Sequence, residues 1–173
     1  MKNVLIALLA MLPLIALSLT PQVNIRFITV HVNDLDSVRF FYSDVLGMQE
    51  AGYYQAEDMG YVDYTSDGVE LQFWRWDDGD LPGNDKWDWQ PGAFSGEWHQ
   101  ASWSIHIPDE LYHRVIGRIL AGGPKTMTPF PSWIEGSAYW SFTVKDPAGN
   151  TVEVFTTPSE LPTANDNGEI AWE

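Results

Sequence analysis

From Val23 onward the chain alternates: Ile25, Phe27, Thr29 and His31 fall on one side, Arg26, Ile28, Val30 and Val32 on the other. A period of two over β-branched and aromatic residues predicts a strand. Asn33-Asp34 then offers turn and cap chemistry, with Asp34, Asp36 and Ser37 as candidate N-caps. Val38, Phe41, Val45 and Leu46 follow at helical spacing, and Gly47 closes that run as a C′ residue. Met48 to Tyr54, Gly60 to Thr65 and Val69 to Trp76 read as three further strands, parted by Glu57-Asp58 and Ser66-Asp67-Gly68. The predicted order is β, α, β, β, β.

That order returns. Ala101 to Ile107 reads as a strand, Pro108-Asp109 as a turn and cap, and Leu111, Val115, Ile119 and Leu120 as a helical stripe stopped by Gly122-Gly123. A short strand is predicted near Lys125 to Thr128, then strands over Ala138 to Val144 and Thr151 to Thr156, joined by Asp146-Pro147-Ala148-Gly149-Asn150. Val30-His31-Val32-Asn33-Asp34 matches Ile105-His106-Ile107-Pro108-Asp109 at a constant offset of 75 (106 minus 31, and 109 minus 34). Further on, Gly68-Val69-Glu70-Leu71 matches Asn150-Thr151-Val152-Glu153-Val154 in character at an offset of 83 (153 minus 70). The pattern is a tandem duplication.

Three segments stand outside it. Met1-Lys2-Asn3 and the apolar run Val4 to Leu19, with small residues at Ala16-Leu17-Ser18, read as a signal peptide over residues 1–18, an uncleaved anchor being the alternative. The run is slightly short for a spanning helix, which needs about 20 apolar residues. Between the repeats, residues 77–98 form a linker rich in Gly, Pro and Asp that also carries Trp87 and Trp89. It reads either as a loop returning its aromatics to the body of the protein or as a rim over a cleft. Residues 159–173 form an acidic tail, expected to be extended or disordered. The body thus spans 19–158, with one module over 23–76 and a second over 99–158.

Composition narrows the function. Nine Lys and Arg face 24 Asp and Glu, a formal net charge of -15. Such a surface repels phosphate backbones, which excludes nucleic acid as a natural partner. The chain has no Cys, so neither disulfides nor thiolate metal sites arise. Six of its nine Trp fall between Trp74 and Trp103, which suggests a face for flat or ring-shaped molecules. No Gly-rich phosphate loop, Gly-x-Ser-x-Gly elbow or His-Glu-x-x-His occurs.

Val32-Asn33-Asp34-Leu35-Asp36-Ser37 with Phe41-Tyr42-Ser43-Asp44-Val45-Leu46-Gly47, and later Lys145-Asp146-Pro147-Ala148-Gly149-Asn150-Thr151-Val152-Glu153-Val154, resemble the vicinal oxygen chelate superfamily. Glyoxalase I, extradiol dioxygenases, fosfomycin-resistance transferases and bleomycin-resistance proteins belong to it. The resemblance implies an α+β fold in which tandem βαβββ repeats form a cupped, barrel-like mixed sheet around a central cavity. It also implies a divalent metal in the enzymes, held by first-strand and last-strand residues and activating vicinal oxygens of the substrate. Glu70 and Glu153 match the last-strand ligands. The first-strand positions fall on Phe27, which cannot ligate, and Ser102, which ligates poorly.

His31 and His106 lie four residues beyond those positions, on the same sheet face. Four strand residues span about 13 Å, whereas a ligand must come within about 2.0 to 2.2 Å of the metal. Three readings stay open for the pair: contacts to a bound molecule, a metal site with Glu70 and Glu153 in altered geometry, or packed side chains. Trp103 and Trp140, if they line the cup, would supply a stacking wall. His99 and His113 read as surface or packing residues.

Three functions follow as expectations. The first is an exported binder of a small organic molecule, of the bleomycin-resistance kind and without metal. The second is a metal-dependent lyase, isomerase or dioxygenase of the glyoxalase kind. The third is a protein-interaction module built on the Trp-rich segment. No cofactor is certain, and a divalent metal is possible in the second reading. The resemblance allows a homodimer, and a cleaved leader would leave a periplasmic or secreted protein with no stable membrane association.

Overall fold

The computed structural model describes residues 27–66, 68–76, 81, 84–88, 90, 92–93, 95–96, 102–164 and 170–172. The leader, residues 23–26, Trp89, Trp98 and His99 lie outside them. Strand β1 (Phe27–His31) leads into helix α1 (Leu35–Arg39), which widens into a π-helical turn over Phe40–Val45. Strands β2 (Glu50–Gln55), β3 (Met59–Ser66) and β4 (Val69–Trp76) follow. The second unit repeats them as β5 (Ser102–His106), α2 (Asp109–Leu120), β6 (Ser132–Ile134), β7 (Tyr139–Lys145) and β8 (Thr151–Thr156). Each unit forms a four-stranded mixed sheet, ordered β1-β4-β3-β2 and β5-β8-β7-β6.

Local chemistry accounts for these elements. Asp34 caps α1 by accepting the Asp36 amide at 3.0 Å. In the π turn the Leu46 amide reaches back to the Phe41 carbonyl at 3.0 Å. The extra residue lets neighbouring Phe41 and Tyr42 both bury, which the simple helical spacing of the sequence did not foresee. In α2 the buried stripe is Tyr112, Val115, Ile116 and Ile119, a clean i, i+3, i+4, i+7 pattern. Leu120, predicted in that stripe, is exposed; Tyr112 enters because its hydroxyl finds the Val154 carbonyl at 3.2 Å. Gly60 is required where β3 runs beside β2 under α1, because a Cβ there would sit 2.9 Å from the Tyr54 carbonyl oxygen and press on Leu35 as well.

Two expectations are corrected. The short strand predicted at Lys125 to Thr128 is a single bridge from Thr126 to Val144, and the sheet's fourth strand is β6. The tail is tethered over its described residues. The Ser159 amide and hydroxyl both bond Asp109 Oδ2 at 2.9 Å, and Trp172 stacks on His113 with ring centroids 4.4 Å apart. Trp172 also meets Tyr112 and Trp140 edge-on, so an apolar anchor holds what acidic composition alone suggested was loose.

One core runs through both units: Val62, Tyr64 and Phe73 from the first, Phe142, Val144 and Val154 from the second. Asp146 joins them. It is buried, accepts the amides of Ala148 and Asn150 within its own turn, and takes the Tyr42 hydroxyl of the first unit at 3.0 Å. Burial raises the Asp146 carboxyl above its ordinary range despite these donors, and lifts the Tyr42 phenol well above its own.

Asp146→Ala is expected to cost about 3 kcal/mol in urea unfolding, since it strands several buried donors, and Tyr42→Phe only about 1 kcal/mol. Equal costs would mean that Asp146 acts only through the Tyr42 bond.

Candidate functional site

Backbone pairing decides what each strand shows. In the first unit Ile28, Val30, Leu71, Phe73, Val62 and Tyr64 share the face packed on α1. The opposite, helix-free face carries Thr29, His31, Glu70, Gln72, Trp74, Tyr61 and Asp63. In the second unit Trp103, Ile105, Val152, Val154 and Phe142 face α2, whereas Ser102, Ser104, His106, Thr151, Glu153, Phe155 and Ser141 lie on the helix-free side.

The two carboxylates are not equivalents. Phe27 and Ser102 correspond at the offset that relates the two histidines, yet Phe27 pairs with Glu70 and Ser102 with Thr151. Thr29 pairs with Gln72, and its counterpart Ser104 with Glu153. The true offset of the last strands is therefore 81 (151 minus 70, and 153 minus 72), and Glu70 sits two residues, about 7 Å, out of step with Glu153. The cause is the turn before each strand: Gly68 and Gly149 both hold a positive φ, in the left-handed conformation that favours glycine. Counting four residues on from each glycine reaches Gln72 and Glu153, a signal present in the sequence.

Their surroundings differ as well. Glu153 is buried and accepts the Ser104 and Ser141 hydroxyls at 2.6 Å each and the Tyr139 hydroxyl at 3.3 Å. The Tyr139 phenol, pushed up to about 12 by burial and then by the Glu153 charge, stays a donor. Glu70, half-buried, accepts from Gln72 Nε2 at 2.6 Å. Asp63 lies on the same face, and burial together with the Glu70 charge raises its carboxyl.

The linker covers part of the second helix-free face. The Asp88 amide donates to Thr151 Oγ1 at 3.0 Å, and Ser102 Oγ donates to Asp88 at 2.5 Å. Gln90, buried, reaches Ser102 Oγ at 3.4 Å. Gly92 lets the chain descend onto Ser141, whose Oγ is 2.9 Å from where a Cβ would stand. Lys145 Nζ bonds the Lys86 and Gly149 carbonyls and lies 4.9 Å from the Trp87 ring centroid. The described linker residues thus meet both sequence readings: Trp87, Asp88, Gln90 and Gly92 return to the body of the protein, whereas Leu81 and Asn84 line a cleft.

Two clefts open along the seam between the edge strands β1 and β5. One, of about 590 Å³, is lined by Ile28 to His31, Leu81, Asn84, Ser102, Trp103, Ala148 and Asn150. The other, of about 420 Å³, brings Trp103 and His106 beside Ile28, Leu71, Tyr64 and Phe155. Trp103 is a wall of both, its indole N–H buried without a hydrogen-bond partner. The structure therefore sets His31 with Trp103 in one cleft and His106 with Trp103 in the other. Glu70 and Glu153 line neither. Trp140 faces away, packed on Trp133 and Trp172 at 5.4 and 5.2 Å, so it walls no cup. His106 is exposed with its ring 5.2 Å from that of Phe155. The sequence reading missed Asp63, Gln72, Asn84 and Asn150, because pairing and turn placement rather than motif bring them in.

A divalent metal does not fit this arrangement. The Glu153 oxygens are already taken by three hydroxyls, and the opposite residue on β5 is Ser104. Among the described residues no three His, Asp or Glu side chains form a metal-ligating group.

No protein-family model matches the sequence, and no curated protein resembles it closely enough to count. Solved structures do match the fold. A glyoxalase/dioxygenase from Nostoc punctiforme superposes at a TM-score of 0.57 with 16% identity, covering 79% of this chain and 92% of that one. A glyoxylase/bleomycin resistance protein/dioxygenase domain from Frankia sp. EAN1pec gives 0.57 and 16%, over 80% and 94%. The fosfomycin resistance protein FosX of Listeria monocytogenes, complexed with Mn(II) and sulfate, gives 0.50 and 14%, over 79% and 93%. The fold is therefore that of the glyoxalase, bleomycin-resistance and dioxygenase proteins, the vicinal oxygen chelate architecture, as two mixed sheets and not a closed barrel.

Glu153→Gln is expected to shift stability by under about 1 kcal/mol, because the serine hydroxyls can rotate to accept from the amide. Its thermal midpoint is expected to be the same with and without EDTA. A midpoint that falls in EDTA for the native chain but not for the variant would restore a metal role to Glu153.

Proposed function

We propose that the chain binds a small organic molecule, without a metal, in the larger seam cleft. The observation that carries this reading is the cleft itself. At about 590 Å³ it lies in the range that takes drug-sized molecules, roughly 300–1,000 Å³. Its lining combines an aromatic and aliphatic wall, Trp103, Ile28, Val30 and Leu81, with a few polar groups, Thr29, His31, Asn84, Ser102 and Asn150. Such a site fixes and orients a ligand through hydrogen bonds and apolar contact. With Phe27 and Ser102 in place of first-strand ligands, this favours a binding or sequestering role of the bleomycin-resistance kind over the lyase, isomerase or dioxygenase role. The acidic surface disfavours anionic ligands.

Within this reading the protein is exported: residues 1–18 form the signal peptide, and the mature chain begins at Leu19.

Binding is tested with the neutral fluorescent probe N-phenyl-1-naphthylamine. One equivalent is expected to bind, with the same affinity after EDTA treatment and after added Zn²⁺ or Mn²⁺. Leu81→Trp, which fills the cleft from an exposed position, is expected to weaken it tenfold or more at an unchanged thermal midpoint. Binding that needs the metal, or that ignores Leu81→Trp, would contradict the proposal. For export, intact mass of the secreted product of a bacterial host is expected to begin at Leu19; retention of Met1 to Ser18 in a membrane fraction would favour the anchor.

A further inference from the structure

The internal repeat supplies a comparison between two equivalent faces. In the first unit, register sets Tyr54, Tyr61, Trp74 and His31 side by side across all four strands of the helix-free face. The corresponding row of the second unit is Ser132, Ser141, Phe155 and His106. Two tyrosines thus stand where the second unit has two serines, and it is onto one of those serines that the linker settles at Gly92. Nothing in the described chain takes the linker's place on the first face. Its rings form a near-parallel series. Tyr54 and Tyr61 have centroids 6.1 Å apart at 28°, Tyr61 and Trp74 5.1 Å at 31°, and Trp74 and Trp76 5.8 Å at 11°. The ends of the series are open, Tyr54 being 49% and Trp76 47% exposed.

Among the described residues the charge on this face has one sign. Asp63 follows Tyr61 on β3, and Glu70 precedes Trp74 on β4. Among the described residues the one salt bridge joins Arg39 to Glu50, so it neutralises neither. Arg75, the cation nearest in sequence, alternates to the other face and bonds the Ala56 and Glu57 carbonyls. Asp63 Oδ1 is buried with no hydrogen-bond partner. Two partly desolvated carboxylates beside electron-rich ring faces favour a positive charge that is itself flat and weakly hydrated.

We propose that the helix-free face of the first unit is a second binding site, whose ligand is a flat organic cation stacked on the Tyr54–Tyr61–Trp74–Trp76 series with its charge over Asp63 and Glu70. This site stands apart from the seam. None of those six residues lines either cleft, and only His31, the last member of the row, belongs to both.

Calorimetric titration of the full chain at low salt tests it with three probes of similar outline: 1-methylquinolinium chloride, neutral 2-naphthol and naphthalene-2-sulfonate. The cation is expected to bind one to one, at least tenfold more tightly than the neutral probe, and the sulfonate not at all. The Asp63→Asn/Glu70→Gln double variant is expected to lose that tenfold preference while still binding 2-naphthol. Tyr54→Ala, at an exposed position, is expected to weaken both. Leu81→Trp, which blocks the seam cleft, is expected to leave the cation titration unchanged, which separates failure of this site from failure of the other. Equal binding of the neutral probe or the sulfonate, an unchanged cation affinity in the double variant, or binding of cellotetraose in preference to the cation would overturn the proposal.

Discussion

A glycine in the left-handed conformation ahead of each last strand fixes how far that strand has travelled when pairing begins. Gly68 and Gly149 share this conformation, so the strands that follow are in step, and every inward or outward assignment is inherited from that point. Glu153 stands four residues on and meets three hydroxyls; Glu70 stands two residues on and meets Gln72. Placed out of step and in unlike surroundings, the two carboxylates cannot form a matched pair around one centre.

The same fold has been put to different uses in its two halves. On the second, the small side chain of Ser141 and the glycine at position 92 let the chain's own linker settle on the sheet, with Lys145 tying it down over Trp87. Rings at Tyr54 and Tyr61 fill the equivalent places on the first half, over which no described linker residue settles. Between them the two cores merge through α1, α2 and the buried Asp146, leaving the seam of β1 and β5 as a concave junction. Clefts of this kind need no metal to hold an organic molecule. Shape, one aromatic wall and a few polar groups suffice.

Much of the architecture was legible before any coordinates. Period-two runs, the cap at Asp34 and glycine stops located both βαβββ units, and the constant offset between His31 and His106 placed β1 and β5 in register. The cap expected at Asp109 did not form, because Asp109 opens α2 from within and its carboxylate accepts from Ser159. What escaped depends on longer-range pairing. A match by character aligned Glu70 with Glu153, because Val-Glu follows a turn in both, whereas the count from the turn glycine would have aligned Gln72 instead. Whether Trp103 and Trp140 pack in the core or wall a cup stayed open, because composition carries no face. Trp103 alternates with Ser102 and Ser104, and Trp140 with Tyr139 and Ser141, which point the other way, so both turn to the helices, and Trp103 reaches the seam only because β5 is an edge strand. Trp172 in the tail gave no periodic signal, since a lone anchoring ring has none.

The two halves, so arranged, do not pool their acidic side chains at a common ion. A crystal structure grown in excess Mn²⁺, with anomalous differences collected at the manganese edge, examines that most directly. The expected result is Glu153 still bonded to Ser104, Ser141 and Tyr139, with no anomalous peak beside it. A manganese ion held by Glu153 together with Glu70, His31 or His106 would contradict it.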